Sequence, residues 1–125
     1  MIADTTFASD YFHEQEGRRP GPATRFVHGQ RAQIIRLTII TAGEISVLFP
    51  TTTLAREWLD RWHVYRLHLG IVDAAAEIDR ALIATGQRLG ENDNWIAGFA
   101  RYYREPVISR DRAFDRAPGV RRLPY

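Results

Sequence analysis

Four acidic side chains stand in four separated stretches of the chain: Asp4 in MIADTTF, Glu44 in TIITAGEI, Asp93 in ENDNWIAGFA and Asp111 in PVISRDRAF. Three follow or adjoin short apolar runs with strand character, and the fourth opens an apolar-periodic helix. A parallel sheet could therefore bring all four to one edge. Carboxylates gathered so closely repel, which raises the pKa of some of them unless cations neutralise the group. Magnesium or manganese, which take oxygen ligands, would do so, and the outline is that of a divalent-metal centre. Singly, each acid also has a plainer role. Asp4 could cap a helix starting near Thr5, and Asp93 or Asn92 could cap the helix carrying Trp95. Glu44 could be a solvated helix residue and Asp111 a turn residue.

The elements that must position these acids alternate strand and helix. Residues 1–4 read as a short strand and 5–15 as a helix burying Phe7, Tyr11 and Phe12; the turn GRRPGP at 17–22 bars its continuation. A helix over 23–32 carries Phe26 and Val27, and IIRLTII at 34–40, rich in β-branched side chains, reads as a buried strand. Helices follow over 43–49 and 52–63, the second with Leu54, Trp58 and Trp62 at a spacing of four, then a strand over 65–69. Ile71, Ala75, Ile78, Leu82 and Thr85 line one side of an amphipathic helix. The last elements are a helix over 93–104 burying Ile96, Ala97 and Ala100, a strand at 106–109 and a short strand at 121–123. Strands separated by helices predict an α/β fold with an open, mainly parallel sheet and right-handed crossovers.

The words around the acids resemble the PIN-domain family of metal-dependent ribonucleases, and within it the VapC-type toxins of toxin–antitoxin pairs. Asp4, Thr5 and Thr6 match a strand ending in Asp followed by Thr and a small polar residue. Glu44 after Thr41 matches the family's second acid. Asp93, Trp95, Ile96, Ala97 and Ala100 match a phrase of the form D-x-W-I-A-A-x-A, and Ser109, Arg110, Asp111 and Phe114 match T-R-D-x-x-F. The sequence departs from that pattern in three places: Gly98 stands where Ala is usual, Ser109 replaces Thr, and the segment after Glu44 is short.

The resemblance implies a three-layer α/β/α domain over 1–125 with four or five strands. It also implies an endoribonuclease whose Asp4, Glu44, Asp93 and Asp111 hold magnesium or manganese, with Asp111 acting directly or through a neighbouring ligand. Thr5, Thr6 and Ser109 have hydroxyls placed to position metal-bound water. Arg110 is a candidate phosphate contact, or a partner for a site carboxylate. Implied partners are an RNA substrate with single-stranded loops, a VapB-like antitoxin and a second copy of the chain. The alternative within the same fold is a non-catalytic PIN-like module that binds RNA or protein. An unrelated α/β domain with scattered surface carboxylates is the other.

Composition narrows the field. With 125 residues the chain suits one domain, and 45% hydrophobic and 26% charged residues are ordinary for a folded soluble protein. No apolar run approaches the roughly eighteen residues of a membrane span. The start lacks a basic and apolar leader, so a cytoplasmic location is the expectation. The absence of Cys excludes disulfides and Cys-based zinc or redox sites. All 17 basic residues are Arg, which removes the Lys needed by a phosphate-binding P-loop or a phosphorylated receiver domain. His13, His28, His63 and His68 have no metal-ligand spacing, and no Ser-His-Asp triad can be assembled. Trp58, Trp62 and Trp95 read as core or dimer-interface residues in preference to base-stacking platforms, and the Trp58–Trp62 helix supplies the apolar surface for dimerisation.

Overall fold

The computed structural model describes residues 1–30 and 32–125. Its elements are β1 (Ile2–Ala3), α1 (Thr5–Glu16), α2 (Pro22–Gly29), β2 (Arg36–Thr38), α3 (Ile39–Ser46), α4 (Thr52–Leu59), β3 (His63–Tyr65), α5 (Leu69–Ala84), α6 (Glu91–Tyr103), β4 (Val107–Ile108), a 3-10 turn (Arg112–Arg116) and β5 (Arg122–Leu123). The five strands form one sheet in the order β3-β2-β1-β4-β5, every neighbouring pair parallel. Six helices cover its two faces, which gives the α/β/α architecture expected from the alternation of elements.

Strand alternation divides the core in two. Ile2 and Val107 point to the face covered by α5 and α6, where they join Ile71, Ile78, Ile96, Phe99 and Phe114. Ala3 and Ile108 point the other way, to Phe7, Ala8, Ala23, Leu37, Ile45 and Trp58. Phe7, Phe99 and Phe114 are fully buried. At about 1.5–3 kcal/mol for each such side chain, the two clusters fix the short strands far more firmly than a two-residue ladder could. Ile71, Ala75, Ile78 and Leu82 of α5 are buried as their spacing predicts, whereas Thr85 is the helix C-cap.

Several boundaries move. The β-branched run expected as a strand over 34–40 pairs only at Arg36–Thr38, because the Thr38 side chain accepts the Thr41 N–H at 3.1 Å and starts a helix there. Ile39 and Ile40 thus belong to α3, and Ile34 is largely exposed. The helix expected over 52–63 stops at Leu59, and β3 lies at His63–Tyr65 in place of 65–69. Trp62 therefore sits in the turn, yet its ring still meets Trp58 at 5.2 Å between centroids. Trp58 is only 5% exposed and packs within this chain against Phe12 and Phe49, so the apolar surface invoked for dimerisation is already covered at that residue. The helix expected over 23–32 ends at Gly29; Arg31 lies outside the described residues.

The start of α2 carries a contact the sequence did not suggest. Gly21 offers no side-chain cap, and the Glu14 carboxylate reaches over from α1 to accept the N–H groups of Gly21, Ala23 and Thr24 at 2.9, 3.1 and 2.7 Å. A Cβ on Gly21 would lie 2.3 Å from a Glu14 oxygen, so the glycine makes room for the clamp. Burial pushes the Glu14 carboxyl up, and the bonds from Thr24, Ala23 and Gly21 outweigh it and hold the group below its ordinary value.

Candidate active site

The crossovers from β1 run outward through β2 and β3, then return to the other side of β1 to form β4 and β5. The direction of winding changes between β1 and β4, and the crevice beyond their C-terminal ends is where open α/β sheets take ligands. Asp4 follows β1 and Ser109 to Asp111 follow β4, so both segments open into that crevice. Helix α3 brings Glu44 to it and the first turn of α6 brings Asp93; charge coupling links Asp4 to Asp93 and Asp111, and Asp93 to Asp111 and Glu44. All four predicted acids therefore border the same end of the sheet, near enough for their charges to act on one another.

Each is held differently. Asp4 is 3% exposed and caps α1, its Oδ1 accepting the Phe7 N–H at 2.7 Å. Capping and site membership coexist in this residue. Burial raises the Asp4 carboxyl to about 6, against the lowering effect of bonds from Ser109 and Phe7 and with further raising by the charges of Asp93 and Asp111. Asp93 is half-buried; burial first, then the charges of Asp111 and Glu44, push its carboxyl up. It is no cap, since α6 begins two residues earlier with Gly90 at the N-cap position. Asp111 is exposed and caps the 3-10 turn through the Ala113 N–H at 2.7 Å.

Glu44 has both oxygens engaged. The Thr5 hydroxyl donates to Oε2, and the Asn92 side-chain amide donates to Oε1 at 2.7 Å. Its helix is tied to the end of β1 by the Thr41 hydroxyl, which donates to the Ala3 carbonyl at 3.4 Å. Ser109 is fully buried, and its Oγ accepts the Asp111 N–H at 2.9 Å, shaping the turn that presents Asp111. Among the described residues Thr6 makes no hydrogen bond to the four carboxylates; it is exposed on the first turn of α1. Among the described residues Arg110 pairs with no site carboxylate. Its guanidinium forms an ion pair with Asp10 of α1 and lies over the Tyr125 ring at 5.1 Å, while the Tyr125 hydroxyl donates to the same Asp10 at 2.7 Å. The four histidines are exposed, and His68 caps α5 through Gly70 N–H at 3.2 Å.

Asn92 is the residue that sequence reasoning assigned wrongly, as a possible helix cap. Its adjacency to Asp93 at a helix start was the one available signal. A divalent ion fits the chemistry of the donor set. The site's candidate ligands are all hard carboxylate oxygens, and Asp4 and Asp93 are pushed up by desolvation and by the charges of neighbouring site carboxylates, a strain that a cation relieves. As they stand, no three of these groups among the described residues converge tightly enough to enclose an ion.

Parallel α/β/α architecture with an acidic crevice at the turn of winding defines the class of this protein. The chain belongs to the PIN domain family, whose profile it matches over residues 1–120. Among solved structures it is similar to VapBC2 from Rickettsia felis bound to a DNA fragment from their promoter, with a TM-score of 0.83 and 14% identity over 99% of this chain and 97% of that one. It is similar also to DNA-bound VapBC from Salmonella typhimurium, with a TM-score of 0.82 and 18% identity over 98% and 96%. VapBC-5 from Mycobacterium tuberculosis matches with a TM-score of 0.60 and 25% identity over 73% and 82%. No curated protein matches the chain.

Proposed function

We propose that this protein is a divalent-metal-dependent endoribonuclease and the VapC-type toxin of a toxin–antitoxin pair. The observation that carries the reading is the set of four carboxylates at the sheet's switch point, in which the buried Asp4 and the half-buried Asp93 are pushed up by burial and neighbouring charge. Carboxyls kept in that state weaken a fold unless something positive is to be bound there. Magnesium or manganese, when bound, lowers the pKa of an attacking water and stabilises the charge that develops on phosphate oxygens.

The chain's own residues do the rest. Asp4, Glu44 and Asp93 would hold the ion directly or through water, and Asp111 would contribute directly or by orienting a neighbouring ligand. Thr5 orients Glu44, and Ser109 sets the turn that presents Asp111. Thr6 is exposed on the first turn of α1 and is available to substrate. Arg110 reaches a phosphate only by exchanging its Asp10 partner. Water adds to phosphorus and gives up a proton, one phosphorus–oxygen ester bond breaks, and the departing oxygen takes up a proton in turn. The substrate is a single-stranded loop of a structured RNA, where unstacked bases can be splayed out and Arg side chains can hold the backbone.

A VapB-like antitoxin and a homodimeric state complete the proposal and rest on family membership, as does a cytoplasmic setting. Among the described residues no helix is long and apolar enough to cross a membrane. Purified protein incubated with structured RNA tests the activity. Cleavage should require magnesium or manganese, stop in EDTA, and be lost in Asp93→Asn while the unfolding curve of that variant is unchanged or improved. Cleavage that persists in EDTA contradicts the proposal, and an intact fold that never cleaves favours a non-catalytic binding module.

A further inference from the structure

Glu44 reaches the site on a side chain with three rotatable bonds, from α3 rather than from a strand end. An unanchored Glu there would lose side-chain conformational entropy on binding an ion. The structure removes that freedom in advance. Thr5 holds one carboxylate oxygen and Asn92 holds the other at 2.7 Å, so the plane and direction of the group are set from two sides. Each oxygen has two acceptor positions and uses one, which leaves a lone pair on each for an ion.

Asn92 has no other evident task. It is exposed on the first turn of α6, and that turn is capped by no side chain, although Asn at the preceding positions would cap it well. Its amide instead crosses to α3, 48 residues away in sequence. Because Asn92 adjoins Asp93, the contact also sets the spacing between the carboxylates of two helices. The residue type is the one this task needs. An amide donates a hydrogen bond without a charge. An Arg in its place would neutralise Glu44 and compete with a cation, and an Asp could not donate.

We infer that Asn92 is a positioning residue of the metal centre, which fixes the Glu44 carboxylate in its ligating orientation. The inference rests on the metal-dependent reading above. Removing a hydrogen-bond partner behind a metal ligand typically costs about 10–100-fold in metal affinity or activity. Manganese titration of the full chain by calorimetry, with wild type, Asn92→Ala and Asp93→Asn side by side, tests it. Urea unfolding in EDTA gives the accompanying measure of the fold.

Wild type should bind manganese, and Asn92→Ala should bind it about 10–100-fold more weakly with an unchanged unfolding midpoint. The manganese concentration needed for half-maximal RNA cleavage should rise by the same factor. Equal manganese affinity in Asn92→Ala and wild type overturns the positioning role while leaving the metal reading in place. A lowered unfolding midpoint in EDTA also overturns it, by making the contact a brace of the fold. Failure of wild type itself to bind manganese overturns the metal reading, and the role of Asn92 with it.

Discussion

Replacing Asp4 by Asn should stabilise the metal-free protein. The carboxyl is raised from 3.8 to about 6, chiefly by burial. Each pKa unit is about 1.4 kcal/mol, so the ionised form is penalised by about 3 kcal/mol at neutral pH. Asn keeps the shape and remains a good N-cap, with its carbonyl oxygen accepting the Phe7 N–H. That figure is already net of the lowering by the bonds from Ser109 and Phe7, so Asn, as a neutral stand-in for the protonated acid, should gain about 2–3 kcal/mol. The pH dependence follows from the direction of the shift. Because the folded carboxyl binds its proton more tightly than the unfolded one, wild type is free of the penalty below 3.8 and acquires it as pH rises through about 6. Urea unfolding in EDTA at pH 7.5 should therefore favour Asp4→Asn, and at pH 4 the two proteins should converge or wild type should lead. Saturating manganese at pH 7.5 should restore the lead of wild type. A variant less stable than wild type at pH 7.5 in EDTA, by an amount independent of pH, would refute the reasoning and leave Asp4 as a cap alone.

Gly98→Ala, which restores the residue usual in PIN domains, should destabilise this one. A Cβ there would lie 2.7 Å from the Ala75 Cβ and 3.1 Å from its backbone, so overpacking of about 1–3 kcal/mol outweighs a helix-propensity gain of about 1 kcal/mol, and the urea midpoint should fall. Glu14→Gln should cost about 1 kcal/mol by loosening the three-donor clamp on α2, solvent screening keeping the figure small. Since Glu14 is held below its ordinary value of 4.5, that difference should be full above this pH and shrink as the folded carboxyl protonates in more acid solution. Induced expression of the wild-type chain should arrest growth and leave a discrete cleaved RNA, whereas Asp4→Ala should be harmless; equal toxicity of the two contradicts the toxin proposal.

Three of the four acids stand out in the sequence because each sits at the end of a local pattern: a short apolar run for Asp4 and Asp111, the start of a periodic helix for Asp93. The α5 stripe from Ile71 to Leu82 was equally plain, since a period of 3.6 survives whatever packs against it. The run 34–40 misled because Ile39 and Ile40 favour strands by side-chain branching, whereas the Thr38 hydroxyl caps a helix that begins with them. That single cap moves Glu44 from a helix start to a position well inside α3. Contacts between distant segments left no local trace at all. Nothing near Asn92 points to Glu44, nothing near Glu14 points to the N–H groups of α2, and nothing near Arg110 points to Asp10 on α1.

The central claim is that the carboxylates at the switch point hold a divalent ion, and anomalous diffraction from a crystal of this protein soaked in manganese tests it most directly. A peak bounded by Asp4, Glu44 and Asp93, absent from Asp93→Asn crystals grown in the same way, is the predicted result. A map with no peak in that crevice, from crystals in which it is open to solvent, would contradict the account.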